Sequence, residues 1–173
     1  MTVLMGARSL LEVSVYGIYN MIVYALNMLL NAFSNGLTAG FGEVISKKEE
    51  HKLRQSFSSY EYVYFIVLFI ICTCMGVLLL PFVTVYTINM TDVNYIRPLT
   101  AGLFVVIVFL QNVRIPGLTI ICAAGHFKET QGQDVLEAAI NLSVSIALIG
   151  KLGLNGALIG TICSYGYRAV III

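Results

Sequence analysis

From Tyr62 to Val85 the chain runs without one charged side chain. About 20 consecutive apolar residues span the hydrocarbon of a bilayer as a helix, the form in which every backbone N–H and C=O is satisfied within the segment. Composition points the same way: 58% of the 173 residues are hydrophobic, only 11% are charged, and the mean hydropathy is +0.89. A soluble domain carries about 25% charged residues, so polar surface is too scarce here to cover a water-soluble globule. A soluble enzyme, a nucleic-acid binder and a disordered chain are excluded. The expected class is an all-α integral membrane protein.

Five apolar stretches are candidate transmembrane helices: residues 13–41, 62–85, 98–124, 135–150 and 154–173. They make residues 1–173 a single membrane domain. The fourth is short, and its polar, glycine-containing flanks, GHFKETQGQD before and KLGLNG after, support it. The chain stops inside the apolar run AVIII, where a terminal carboxylate is costly to bury. On that ground the sequence is expected to be a fragment. Orientation follows from the basic residues. Lys47, Lys48, Lys52, Arg54, Lys128 and Arg168 fall on one side, and Arg8, Arg97 and Lys151 on the other. The excess places the loop 42–61 in the cytoplasm. This loop, with Leu53 and Phe57 on one face, also suits a short interfacial helix, in which His51 reads as a solvated residue.

The first span is the most informative. Tyr16, Asn20, Tyr24, Asn27, Asn31, Ser34, Asn35 and Thr38 fall within an arc of roughly 100° at about 100° per residue. An asparagine facing lipid leaves its amide unsatisfied, at several kcal/mol. The stripe therefore either hydrogen-bonds to neighbouring helices or lines a water-filled cavity. Glu137, Asn141 and Ser145 form a shorter row spaced four and four, which Gln133 extends. Glu137 reads as a snorkelling interfacial carboxylate or as an acid at a cavity mouth. In QNVRIPG, Arg114 precedes the helix-kinking Pro116, with Gln111 and Asn112 beside it. A guanidinium inside a span needs water, a counter-ion or an anionic ligand, and its fork matches two phosphate oxygens.

Gly36-xxx-Gly40 and Gly156-xxx-Gly160 are small-residue patterns for close helix packing. Cys72, Cys74, Cys122 and Cys163 sit in apolar runs and read as small buried hydrophobes. The sequence carries no paired-carboxylate site, metal cluster, phosphate loop or nucleophile with a base, so neither an enzyme nor a cofactor is expected.

Several segments together are familiar: VSVYGIYNMI and NGLTAGFGEVI at the two ends of the first span, LPFVTVYT ending the second, and VRIPGLTIICAAGHFKETQ, EAAINLSVSIALI and GLNGALIGTICSYGYR across the last three. The chain resembles the C-terminal half of a bacterial polysaccharide (O-antigen or capsule repeat-unit) flippase of the multidrug/oligosaccharidyl-lipid/polysaccharide exporter superfamily. The resemblance implies about 12 to 14 helices in two bundles around a central cavity in the bacterial inner membrane, with the N-terminal bundle missing here. It implies translocation of an undecaprenyl-diphosphate-linked oligosaccharide for surface polysaccharide and lipopolysaccharide biosynthesis. The partners would then be the lipid-linked oligosaccharide, membrane lipids and the missing N-terminal bundle. On this reading Tyr16, Asn20, Tyr24, Asn27, Asn31, Asn35, Gln111, Arg114, Glu137 and Asn141 line the substrate path. The alternatives are a multidrug or cation antiporter of the same superfamily, with Glu137 as its coupling acid, and a non-functional truncated remnant. A membrane polymerase or glycosyltransferase would need a larger extramembrane loop than any found here.

Overall fold

Two stripes on the first helix, α1 (Thr2–Ser46), organise the molecule. One stripe is buried: Val15, Tyr19, Val23, Leu30, Ser34 and Phe41, spaced by four or seven residues. It meets a matching row on α2 (Glu50–Tyr86), which runs Tyr60, Tyr64, Leu68, Met75, Leu79 and Val83. Such spacing keeps one face of each helix against its neighbour over many turns. The second stripe is polar and lies one residue further on, so it is turned by about 100° from the buried one. The computed structural model describes residues 2–47, 50–90, 93–125 and 127–172. The side chains of Arg8, Thr38 and Lys128, and residues Lys48 and Ile173, lie outside the described residues.

The remaining elements are α3 (Pro98–Val113), α4 (Ile115–Ala123), α5 (Phe127–Leu152) and α6 (Leu154–Ile172), with no strand among the described residues. The core divides in two along the helix axes. At one end Val15, Tyr19 and Val23 pack with Met75, Leu79, Val83, Phe104, Val108 and Leu158. At the other, Leu30 and Phe41 pack with Tyr60, Tyr64 and Leu68. Large apolar side chains cover the outside, among them Phe69, Val77 and Val85 on α2 and Leu142 and Ile146 on α5. An apolar exterior of that extent is a liability in water and ordinary in lipid.

Four helical stretches are long and apolar enough to cross a membrane: Leu10–Ile45, His51–Tyr86, Pro98–Ala123 and Gln131–Leu152. They point to a multi-pass membrane protein. The fifth expected span is helical as α6 but is not among these four. Its polar row, Asn155, Thr161, Ser164, Tyr165 and Arg168, lowers its hydropathy.

Two other expectations change. Residues 42–61 do not form a long loop, because α1 continues to Ser46 and α2 begins at Glu50. The Glu, Lys, Gln and Arg side chains there are good helix formers, so the helices extend past their apolar parts, helped by a Lys47–Glu43 pair at 2.6 Å. The third span is not one kinked helix. It breaks at Arg114 into α3 and α4, since Pro116 has no N–H and its ring crowds the Asn112 carbonyl. That carbonyl accepts the Arg114 N–H instead.

The glycine patterns part company. Gly153 takes φ +56 and closes α5 onto α6 in a tight antiparallel hairpin, its N–H bonded to Ile149 O at 3.0 Å. Across that hairpin a Cβ on Gly156 would stand 2.6 Å from the Leu148 backbone, and one on Gly160 would strike the Ser145 side chain. These two glycines permit the contact. By contrast, Gly36 and Gly40 face open space, with nothing within 4 Å of a built Cβ, so no close packing rests on them. Gly160→Leu is therefore expected to destabilise the protein by about 1–3 kcal/mol or more through overpacking, and Gly36→Leu to leave it unchanged. Thermal unfolding of the detergent-solubilised variants checks the pair.

Candidate functional site

A row of polar groups runs along α1, α3 and α6, with a charged group at each end. At one end Arg97, just before α3, forks onto Glu12 of α1: Nη1 donates to Oε2 at 2.8 Å and Nη2 to Oε1 at 3.0 Å. Its Nε is capped by Asn94 O at 3.2 Å. From Arg97 to Arg114 the rise along α3 is about 25 Å, close to the roughly 30 Å depth of a hydrocarbon core. Arg97 thus stands at the start of the apolar stretch Pro98–Ala123, and Arg114 lies within it with α4 beyond.

Three cavities are strung between them. The first, about 890 Å³, lies among Glu12, Tyr16, Arg97 and the α5–α6 turn. The second, about 210 Å³, is lined by Tyr16, Asn20, Tyr24, Asn27, Gln111, Thr161 and Tyr165. The third, about 560 Å³, is lined by Arg114, Asp134, Glu137, Asn141, Tyr165 and Arg168. Tyr16 borders the first and second, and Tyr165 the second and third. One tyrosine therefore stands at each junction.

The middle is neutral and hydrogen-bonded. Asn27 Nδ2 donates to Gln111 Oε1 at 3.1 Å, and Asn112 Nδ2 donates to Asn27 Oδ1 at 2.7 Å and to Val108 O at 2.8 Å. Tyr64 donates to Asn112 Oδ1 at 3.4 Å, and Tyr60 to Ser34 Oγ at 3.0 Å. Every buried amide so placed finds a partner on another helix, as low dielectric requires.

The expected α1 stripe accordingly divides. Asn27 ties helices together and also borders a cavity. Tyr16, Asn20 and Tyr24 line the second cavity, whereas Asn31 and Asn35 line none of these three and lie on the exposed face of the helix. Asn141 donates at 3.4 Å to both Thr161 and Ser164 and accepts from Ser145 at 3.1 Å, so it couples α5 to α6 at the edge of the third cavity.

The charged end has the densest chemistry. Arg114 sits at the break between α3 and α4 and turns inward with 14% of its side chain exposed. Its Nη1 donates to Glu137 Oε2 at 2.8 Å, and its guanidinium lies 4.8 Å over the Tyr165 ring, a cation–π distance. Glu137, on α5, is 16% exposed and also faces inward. A second cation reaches the same oxygen: Arg168 Nε stands 3.8 Å from Glu137 Oε2. Arg168 further pairs with Asp134 at 2.6 Å and donates to Gln133 Oε1 at 2.9 Å.

Arg168 corrects the sequence reading, which counted it as a flanking charge. Its side chain is 2% exposed, because carboxylates one turn apart on α5 meet it in the bundle. A clue was present in the row Thr161, Ser164, Tyr165, Arg168 at helical spacing. The Glu12–Arg97 pair had no local signal, its members being far apart in sequence.

No protein-family model, curated protein or solved structure matches the chain. The exposed polar face of α1 is expected to contact water and the exposed face of α5 lipid. After replacement of Cys72, Cys74, Cys122 and Cys163 by alanine, Asn20→Cys and Asn31→Cys should react readily with a small charged thiosulfonate in membranes. Leu142→Cys, exposed but apolar in setting, and the buried Val108→Cys should react slowly.

Proposed function

We propose that this chain is part of a bacterial inner-membrane transporter that moves a diphosphate-linked oligosaccharide on a lipid carrier from the cytoplasmic to the periplasmic leaflet. The observation that carries the reading is the division of chemistry along one face. Neutral amides, hydroxyls and tyrosine rings occupy the middle, and inward-held guanidinium groups lie at one end. Asparagine, glutamine and tyrosine suit sugars, which offer hydroxyls to hydrogen-bond and ring faces to stack. Guanidinium suits phosphoryl oxygens, which it meets two at a time.

The central cavity of about 210 Å³ is smaller than the about 300–1,000 Å³ of ordinary ligand pockets. An oligosaccharide would instead travel along the open face of α1, over Asn20, Tyr24, Asn31 and Asn35. These groups do not belong in lipid, where each unsatisfied amide costs several kcal/mol. In this proposal α6 completes the membrane layer as a fifth span. A second helical bundle, giving about 12 to 14 helices in all, faces the polar side, and the two bundles rock to open the cavity alternately. Flipping makes and breaks no covalent bond, so the protein's task is binding and exposure. Glu137 is engaged by two arginines in this arrangement, a poor setting for the coupling acid of a cation antiporter.

The test uses the complete gene in a strain whose own repeat-unit flippase is deleted and whose polysaccharide matches. Wild type should restore surface polymer. Arg114→Ala, at matched membrane levels, should lower it at least about tenfold, as expected for losing one charge-assisted contact of about 1.5–3 kcal/mol. If both restore it, Arg114 has no transport role. Failure of both, despite normal insertion, brings the antiporter reading forward.

A further inference from the structure

We propose that Glu137 is a displaceable internal anion: it occupies the place on Arg114 that a phosphoryl group takes, and it moves to Arg168 when that group arrives. The inference rests on the transport reading above and names how its charged end is loaded.

Four observations support it. Arg114 spends one nitrogen on Glu137, while its Nε is buried with no hydrogen-bond partner among the described residues. A buried guanidinium with an unsatisfied N–H is one acceptor short. Second, the cavity it faces, about 560 Å³, has room for that acceptor. Third, the carboxylate oxygen now on Arg114 already lies 3.8 Å from Arg168 Nε, so a small side-chain shift transfers it between cations without leaving either charge bare. Finally, the last group in the line is free to leave. Asp134 pairs with Arg168 at 2.6 Å, but 61% of its side chain is exposed.

Together these define an exchange in three steps. A phosphoryl group lands on Arg114, Glu137 moves fully onto Arg168, and Asp134 turns out to water. Removing one partner from a buried ion pair is costly because a charge is left uncompensated. Here each cation keeps a counter-ion throughout, and the only carboxylate released ends at the surface, where hydration is easy. Among the described residues at this cavity the charges are Arg114, Arg168, Glu137 and Asp134, two of each sign. An incoming anion therefore binds weakly unless an acid gives way, which discriminates against anions unable to displace Glu137 from Arg114.

The test measures binding of inorganic pyrophosphate to the purified protein in zwitterionic phosphatidylcholine nanodiscs, by calorimetry or phosphorus NMR. Glu137→Gln keeps the side-chain shape and removes the competing charge, so it should bind pyrophosphate at least about tenfold tighter than wild type, equivalent to about 1.4 kcal/mol. Glu137→Asp, whose shorter carboxylate holds Arg114 less well, should fall between them and serves if the glutamine variant folds poorly. Adding Arg114→Ala to either should abolish the gain. Equal affinity in all Glu137 variants overturns the exchange, as does a gain that survives Arg114→Ala. Either outcome leaves the surface-polymer assay, and so the transport reading, to stand on its own result. Repeating the titration with phosphatidylglycerol in the disc identifies the source of the phosphoryl group. Competition that Arg114→Ala removes places a bilayer headgroup in the site. Unchanged pyrophosphate binding reserves the site for a phosphate on another carrier. Either result supports the site.

Discussion

A charge buried in an apolar bundle must be met by an opposite charge on a neighbouring helix, and the arrangement of this bundle follows from that requirement. Arg114 and Arg168 leave α3/α4 and α6 and converge on Glu137 of α5. That convergence sets the rotation of three helices about their own axes. It places α6 with its polar row inward, and it turns Arg114 away from the interface that a long, flexible side chain would otherwise seek. For helices in a bilayer hydrophobic burial offers no such direction, because lipid tails solvate leucine as well as another helix does. Polar contacts and close packing at Gly156 and Gly160 thus decide the geometry.

The same reasoning explains why α1 carries two stripes rather than one. Its buried row, Val15 to Phe41, packs on α2 and α3 with aromatic and branched side chains, including Tyr19 stacked on Phe104 at 5.4 Å. Its polar row begins a hundred degrees away and passes from the interior at Asn27 to the surface at Asn31 and Asn35. A single helix therefore serves as both core and wall. Within that row Asn27 is satisfied by Gln111 and Asn112, which would have no place in a helix packed only through apolar groups.

How much of this was legible in the sequence depends on the range of the interaction concerned. Periodicity within one helix announced the polar stripe of α1 and the Glu137–Asn141–Ser145 row of α5, since both repeat every few residues. The proline two positions after Arg114 announced an interruption, though not that it would split the helix. Extent was harder to read: Lys, Glu and Arg end an apolar run while continuing a helix, so α1 and α2 overrun their apolar limits. Partners across the bundle were not readable at all. Whether Arg168 snorkels or is buried depends on Gln133, Asp134 and Glu137, and nothing local to α6 says where they lie. Likewise Gly36 and Gly40 have the spacing of a packing motif, but only the neighbour across the way decides its use.

The two ends of the polar row use the same residue types to different effect, and the difference lies in saturation. Arg97 is complete: both terminal nitrogens fork onto Glu12, and Nε is held by the Asn94 carbonyl. Such a pair fixes α1 against the start of α3, and a ligand would have to break two charge-assisted bonds to enter it. Arg114 has one carboxylate oxygen, shared with a second arginine, an aromatic face, and a buried nitrogen without a hydrogen-bond partner among the described residues. Its helix is interrupted at that very residue. One arginine is a staple. The other keeps coordination in reserve beside an open cavity, and it is this reserve on which the proposed binding role rests.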